Sequence, residues 1–325
     1  MGHTIKEVSR LAGVSTATVS RTFSSPELVQ EGTRKKIMEV AQVLNYQPNA
    51  IARSMALQQT ERIAFIICTK GSSILSEFYA NICEGIMKKT NRSDYQLLIS
   101  IAEDWEVVKN KQIDGVILGG DASAGLITEL QRNNVKIVLV NHEVPGHDIP
   151  CVVADEEKGV FLAVNHLLSK GHRDIAMLAG RFSPYISEHR YTAFQKAMKQ
   201  LGLPIPESYV RMVDPTIENA TKGALELLGA RNRPSAVFAG NDIIAAAVLK
   251  AALRLHLRVP EDIAVVGYDD SRICQVVEPE LTSVHIPCHR MGEAATDILF
   301  SLLKGDDAVA KKTVVSAELT IRHSV

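Results

Sequence analysis

From Arg62 onward the chain repeats one pattern: a short run of apolar, β-branched residues, then a longer stretch with helical spacing. The runs fall at 63–67, 96–99, 115–118, 136–140, 175–178, 236–238 and 263–266. Runs this short and this continuously apolar must be covered on both faces, and helices between them supply the cover. The pattern predicts parallel sheets with helices on either side. It holds too many units for one compact sheet, so two doubly wound lobes are expected, with a ligand cleft at the carboxyl ends of the strands. Chain order assigns 61–153 plus 286–312 to a near lobe and 154–284 plus 313–325 to a far lobe. In that layout a helix over 288–304 returns to the near lobe and a strand over 314–322 to the far one.

Residues 1–57 have a different texture, with helix patterns and no convincing strand. Thr4-Ile-Lys-Glu7 reads as a capping box that opens a helix over Ile5, Val8, Leu11 and Ala12. Gly13 suits a left-handed turn, and Ser15 suits the N-cap of a second helix starting at Thr16. Val19 then faces inward, which leaves Thr16, Ala17, Ser20 and Arg21 facing out. A third helix is expected from Thr33 to Asn45, with Ile37, Val40, Ala41 and Leu44 along one stripe. Helix, glycine turn and short polar helix is the layout of a helix-turn-helix DNA reader. A packing domain without a partner would share the pattern. The expected division is a helix-turn-helix domain over 1–46, a short helix and linker over 47–60, and a two-lobed α/β body over 61–325.

The formal net charge of −1 seems to disfavour a nucleic-acid partner, but it is an average. The first sixty residues carry seven cations and four acids, 7 − 4 = +3, and the rest 29 − 33 = −4. A small basic head on a mildly acidic body is the asymmetry expected of a binding arm. Hydrophobic residues make up 46% and charged residues 22%, which excludes a disordered or fibrous chain. No apolar run approaches the roughly 20 residues needed to span a bilayer. The opening residues lack the apolar core of a secretory signal, so a cytoplasmic chain is expected. Cys68, Cys83, Cys151, Cys274 and Cys288 are widely spaced with no Cys-x-x-Cys, which argues against structural zinc and a disulfide framework.

Residues 5–55 resemble the lactose-repressor (LacI/GalR) family of bacterial transcription regulators. The resemblance rests on Val8, Ala12-Gly-Val-Ser15, Thr18-Val-Ser-Arg21, Thr33-Arg34, Asn45-Tyr46, Pro48-Asn49 and Ala52-Arg53. It continues through Asp114-Gly115, Gly171-His172-Arg173, Ile175-Ala176, Ala179-Gly180 and Asn241-Asp242. Further on it is carried by Val259-Pro-Glu-Asp262, Val266-Gly-Tyr-Asp-Asp270, Pro279-Glu-Leu-Thr282 and Glu318-Leu-Thr-Ile-Arg322. Each motif is weak alone, but the ordered set is specific and spans nearly the whole chain. The body it implies is periplasmic-binding-protein-like.

The resemblance implies a cytoplasmic, nucleoid-associated repressor that binds a pseudo-palindromic double-stranded DNA operator as a homodimer. It places Thr16, Ala17 and Arg21 against base edges, where Arg21 suits a guanine O6/N7 pair. It places Ser15, Thr18, Ser20, Thr33, Arg34 and Tyr46 on phosphates. Asn49, Ala52, Arg53 and Met55 fall in the hinge, where Met55 replaces the family's wedging leucine. Ser24 departs from the usual Asn. There is no leucine-heptad tail, which argues against a tailed tetramer.

In the body, Asn141, Asn241 and Asp269 follow predicted strands, and Arg190 opens a predicted helix. A guanidinium, a carboxylate and two amides suit a ligand with many hydroxyls. The resemblance makes Arg190 an effector contact and Phe78 and Tyr79 an apolar wall. Alternatively, Arg190 and Asp269 form a structural ion pair, the asparagines cap turns, and the aromatics are core. The expected effector is a sugar or related polyol, with a nucleoside or purine second. No cofactor and no metal are expected, since a strand–proline–helix junction at His285-Ile-Pro-Cys-His289 would not hold its donors together. Ser76-Glu77 replaces a familiar Asn-Pro, and only a short helix over 103–111 fits between Ile101 and Asp114. The competing classes are an enzyme, for which no nucleotide or nucleophile-elbow motif is present, and a transport solute-binding protein, which would not carry a basic helical head.

Overall fold

The computed structural model describes residues 3–24, 26–46, 60–68, 76–101, 113–181, 184–214 and 216–325. The chain divides into two compact units, residues 1–61 with 112–114, and residues 62–111 with 115–325.

The first unit contains α1 (Ile5–Ala12), α2 (Thr16–Ser24), a single 3-10 turn at Pro26–Leu28 and α3 (Glu31–Val43). The Thr4 backbone N–H donates to Glu7 Oε2 at 2.7 Å and so ties off the start of α1. That bond holds the Glu7 carboxyl below its ordinary range. Gly13, at φ 68°, turns the chain, and Val14 N–H donates back to the Ser9 carbonyl at 3.1 Å. Ser15 Oγ accepts Thr18 N–H at 3.1 Å and caps α2. Val8, Ala12, Val19 and Ile37 are fully buried, and the Phe23 and Tyr46 rings meet at 5.9 Å on their flank. The third helix starts at Glu31 rather than Thr33 and ends at Val43, because Asn45 takes a left-handed φ of 46° that a helix cannot continue through. The hinge residues 47–59 lie outside the described residues, as does the short helix expected over 103–111. In the same unit the Asp114 carboxylate accepts Thr60 N–H at 2.8 Å, Glu61 N–H at 2.8 Å and Thr60 Oγ1 at 3.0 Å, fixing the residues that lead into the first strand.

The second unit has two six-stranded sheets. The near-lobe sheet runs β11-β5-β4-β3-β1-β2, from β1 (Arg62–Cys68), β2 (Gln96–Ile101), β3 (Gly115–Gly120), β4 (Lys136–Val140), β5 (Cys151–Ala154) and β11 (Lys312–Val315). The far-lobe sheet runs β12-β10-β9-β8-β6-β7, from β6 (Ile175–Gly180), β7 (Val210–Val213), β8 (Ala236–Ala239), β9 (Ala264–Asp269), β10 (Thr282–His285) and β12 (Glu318–Thr320). The pairings are parallel except β10 with β12. Around the sheets lie α4 (Glu77–Thr90), α5 (Ala124–Arg132), α6 (Glu156–Ser169), α7 (Pro184–Gln200), α8 (Ile217–Leu228), α9 (Asp242–Arg254), α10 (Ile273–Val276) and α11 (Cys288–Leu303).

Two strands, β5 and β7, are not among the apolar runs that mark strands in the sequence, whereas β10 is the strand of the strand–proline–helix junction at 285–289. β5 and β7 each have four residues, and β7, Val-Arg-Met-Val, is interrupted by a charge and only half-buried. The single strand expected over 314–322 is two. Residues 313–315 pair with β5 in the near-lobe sheet, contrary to their expected place in the far lobe, and 318–320 pair with β10. The break comes at Ala317, which is fully buried beside Gly159 where the chain crosses between lobes. The deep core is built on Phe65, Phe194, Phe238 and Tyr268, with Phe194 and Phe238 stacked at 5.9 Å.

Helices α4 and α11 pack with their backbones almost touching. A Cβ on Gly292 would stand 2.1 Å from the Ile82 carbonyl oxygen, and one on Gly85 would stand 2.2 Å from the His289 carbonyl oxygen. Salt bridges Lys88–Glu293 (2.6 Å) and Lys89–Asp297 (2.7 Å) flank the crossing. Gly292→Ala is expected to force the helices apart and cost about 3 kcal/mol, the upper end for overpacking a tight core. A lowered urea midpoint with an unchanged slope is the expected reading.

Candidate DNA-reading face and ligand cleft

On α2 the buried Val19 fixes which residues face outward. Ser15, Thr16, Ala17 and Arg21 are exposed, whereas Thr18 and Ser20 are half-buried. Arg21 has no hydrogen bond or ion pair among the described residues, so its guanidinium is unspent. Ser15 and Thr18 are partly committed to each other, with their hydroxyls 2.9 Å apart. Thr33 and Arg34 are half-buried in the first turn of α3. The Tyr46 ring is packed on Phe23, and burial raises its phenol above the usual range. Asn49, Ala52, Arg53 and Met55 lie outside the described residues, as do Trp105 and the side chain of Ser24.

In the second unit the carboxyl ends of both sheets face each other, since the chain crosses between lobes after β5, after β10 and after β11. The backbone turns sharply at several of these ends. Gly120 after β3, Asn141 after β4, and Asp269 and Asp270 after β9 have φ of 84°, 64°, 101° and 55°. Non-glycine residues held there carry local strain, a cost that clusters at functional sites.

The near-lobe wall contains Phe78, Tyr79 and Asn141. Phe78 meets Tyr79 edge-on at 5.3 Å. Tyr79 lies over Gly119 as part of the core, where burial raises its hydroxyl to about 12, and it hydrogen-bonds the buried Asn141 side chain. Tyr79 is therefore part of the core.

The far-lobe wall centres on Arg190, which is 6% exposed. Its Nε and Nη2 donate to the two oxygens of Glu156 at 2.9 and 2.7 Å. Its Nη1 donates to the Gly240 carbonyl, and its guanidinium carbon lies 3.7 Å from the Tyr268 ring centroid. The ion-pair partner of Arg190 is thus Glu156 and not Asp269. No strand had been assigned before Glu156, so nothing pointed to that residue. Asn241 caps α9, its Oδ1 accepting Ile244 N–H at 2.9 Å, so only its amide donors remain for a ligand. Behind it the buried Asp242 accepts from Ser271 N–H (2.7 Å), Ser271 Oγ (2.9 Å) and Ser283 Oγ, locking the β9–α10 turn to β10.

Asp269 accepts no hydrogen bond and makes no ion pair among the described residues. Burial, with Asp242 and Glu156 nearby, pushes its carboxyl well above the usual range, against the pull of Arg190. Its neighbour Asp270 goes the other way, because His285 (3.1 Å), Arg322 (2.8 Å) and Thr320 (2.9 Å) stabilise its charge. Two contacts bridge the lobes at the rim. Glu77 accepts the Arg272 backbone N–H at 3.0 Å, and Glu143 accepts the Tyr185 hydroxyl at 3.0 Å. Neither had been anticipated. His285 and His289 face Asp270 and Glu84 respectively. Among the described residues no group of three or more His, Cys, Asp or Glu is placed to hold a metal. No described helix is long and apolar enough to cross a membrane.

A helical head with an outward polar face, joined in one chain to a two-lobed α/β clamp, defines a DNA-binding regulator with a ligand-binding domain. Residues 4–49 match the family profile described as bacterial regulatory proteins, lacI family, and residues 164–325 match the periplasmic binding protein-like domain. The chain is 31% identical over 335 residues to catabolite control protein A of Priestia megaterium, covering 100% of this chain and 98% of that one. The solved Lac repressor dimer bound to operator and an anti-inducer superposes with a TM-score of 0.83 at 25% identity, covering 100% of this chain and 99% of that one. The regulator CelR in complex with cellobiose superposes at 0.75 with 28% identity, covering 99% and 100%. The protein belongs to the LacI family of bacterial transcriptional regulators, which are repressors and not enzymes.

The raised Asp269 carboxyl has a measurable consequence. Between the ordinary carboxylate range and its raised value, the folded chain holds a proton that the unfolded chain releases, so stability falls as pH rises through that window. Asp269→Asn removes this loss. The variant is expected to melt at a higher temperature than the parent at pH 7, with the difference closing towards pH 4 in thermal denaturation.

Proposed function

We propose that this chain represses transcription by binding a pseudo-palindromic operator as a homodimer, and that a sugar or related polyol in the inter-lobe cleft controls it. The observation that carries the DNA half is the outward face of α2. Thr16, Ala17 and Arg21 are presented to solvent by a buried Val19, and Arg21 is unspent. Arg21 reads a guanine edge, Thr16 and Ala17 line the adjacent base steps, and Ser15, Thr18, Ser20, Thr33, Arg34 and Tyr46 set register on phosphates. Residues 47–60, with Asn49, Ala52, Arg53 and Met55, serve as the minor-groove hinge. Residues 61–325 sense the ligand and dimerise, in the cytoplasm at the nucleoid.

The effector half is supported by the pairing of a polyol-binding donor set with two lobes that meet over it. Asn141 on one wall and Arg190, Asn241 and Asp269 on the other offer amide and carboxylate partners to vicinal hydroxyls. Phe78 and Tyr79 supply the apolar face that a sugar ring needs. A ligand can regulate only by binding two states of the clamp unequally. The solved relative that carries cellobiose favours a saccharide.

Two measurements test this. Arg21→Ala is expected to cost about 1–3 kcal/mol of operator binding and to relax one base position. Equal affinity of variant and parent in a salt-controlled gel shift overturns the assignment. Saturating the cleft with a ligand found by thermal shift is expected to change operator affinity, and unchanged affinity rejects the cleft as the control site.

A further inference from the structure

The charges around the cleft are unevenly spent, and the imbalance bears on which ligands it can hold. Arg190 is the only described arginine or lysine buried on either wall. Both ends of the Glu156 carboxylate occupy its Nε and Nη2, and the Gly240 carbonyl takes Nη1. Its positive charge is thus already balanced by a partner that is itself largely buried.

The other described cations near the strand ends are committed too. Arg322 is paired with Asp270 at 2.8 Å and Lys312 with Glu143, while Arg181 and Arg272 are exposed at the rim beside Asp214 and Glu77. Exposed pairs of that kind contribute little field at depth. His142, next to Asn141, is 1% exposed, and burial lowers its pKa, so it is neutral at physiological pH. Its Nδ1 faces the Val140 carbonyl, and its buried Nε2 has no hydrogen-bond partner among the described residues. Against these stands Asp269, with no ion-pair partner among the described residues.

A phosphate or carboxylate taken into such a site needs an unspent cation or a ring of N–H donors. Among the described residues the cleft offers instead the amides of Asn141 and Asn241, a carboxyl that burial holds towards its neutral form and a guanidinium already neutralised. From this arrangement we infer that the cleft selects an uncharged, hydroxyl-rich ligand and rejects the phosphorylated or carboxylated form of the same molecule, with the Glu156–Arg190 pair as the discriminating device. The inference rests on the cleft being the effector site. It deepens that reading by assigning charge selectivity to particular residues.

The test uses the full chain and matched probes in thermal shift followed by titration calorimetry. Neutral mono- and disaccharides are compared with their phosphate esters and uronic acids, and adenosine with adenosine monophosphate. A neutral probe is expected to bind at least about tenfold more tightly than its anionic counterpart, since an anion desolvated there finds no unspent cation among the described residues to compensate it. Glu156→Gln frees the Arg190 guanidinium and is expected to narrow that ratio. Should this variant unfold, Glu156→Asp, which keeps the charge but withdraws it from the guanidinium, is expected to narrow the ratio as well. An anionic probe that binds as tightly as its neutral partner overturns the inference while leaving a saccharide effector standing. Binding of adenosine but not its monophosphate, with no saccharide bound, supports the charge selection and overturns the saccharide reading.

Discussion

Parallel pairing is the constraint from which the rest of the ligand-binding unit follows. A parallel strand cannot return by a hairpin, so each crossover must run the length of the sheet, here mostly as a helix. Every strand but the antiparallel β12 then ends on the same side of its sheet, and the loops leaving those ends gather there. The crossings after β5, β10 and β11 turn the two sheets so that these sides face one another. The cleft is a by-product of that topology, and the residues available to it are those directly after strands. Asn141 after β4, Asn241 after β8 and Asp269 at the end of β9 are there for that reason. The left-handed turns at Asn141, Asp269 and Asp270 mark where the chain bends to stay on the cleft side.

Within the cleft, the Arg190–Glu156 pair organises the far wall. A buried guanidinium costs too much to leave unpaired, and its fork is matched here by a bidentate carboxylate, a backbone carbonyl and an aromatic face. The pair ties α7 to the first turn of α6 and to the end of β8. It also removes the positive charge that a reader of the sequence would assign to Arg190. What remains is a wall of amides with a strained Asp269 that makes no ion pair among the described residues. The same residue that costs stability at neutral pH is one of the proposed ligand contacts, a trade commonly found where function needs an unsatisfied group.

The head works with far less. Its core is Val8, Ala12, Val19 and Ile37 with a few flanking rings, so its order depends on caps as much as on burial. Glu7 on Thr4, Gly13 turning back to Ser9, and Ser15 on Thr18 each stop a helix end from fraying. Those caps aim α2. Its charge of +3 on sixty residues is modest, so base contacts and a second copy must supply most of the operator affinity.

Much of this was legible in the sequence, because the signals were local. The capping box, the glycine turn and the inward Val19 are short-range patterns, and they were enough to orient Thr16, Ala17 and Arg21. The longer apolar runs likewise revealed most strands and the fold class. The short strands β5 and β7 escaped, and with β5 went the reason to notice Glu156, which follows it by two residues. The division of 314–322 into two strands in different sheets was also hidden, since nothing in Ser316-Ala317 marks a crossing until Gly159 is seen against it. The sequence by itself determined the two-part plan, the parallel sheets and the face of α2, because periodicity and caps act over one or two turns. Only the tertiary structure decided which acid neutralises Arg190, that the amide oxygen of Asn241 is spent on its own helix, and that Asp269 makes no ion pair with any described residue. Those outcomes depend on groups brought together from distant parts of the chain, where burial raises the cost of every unpaired charge.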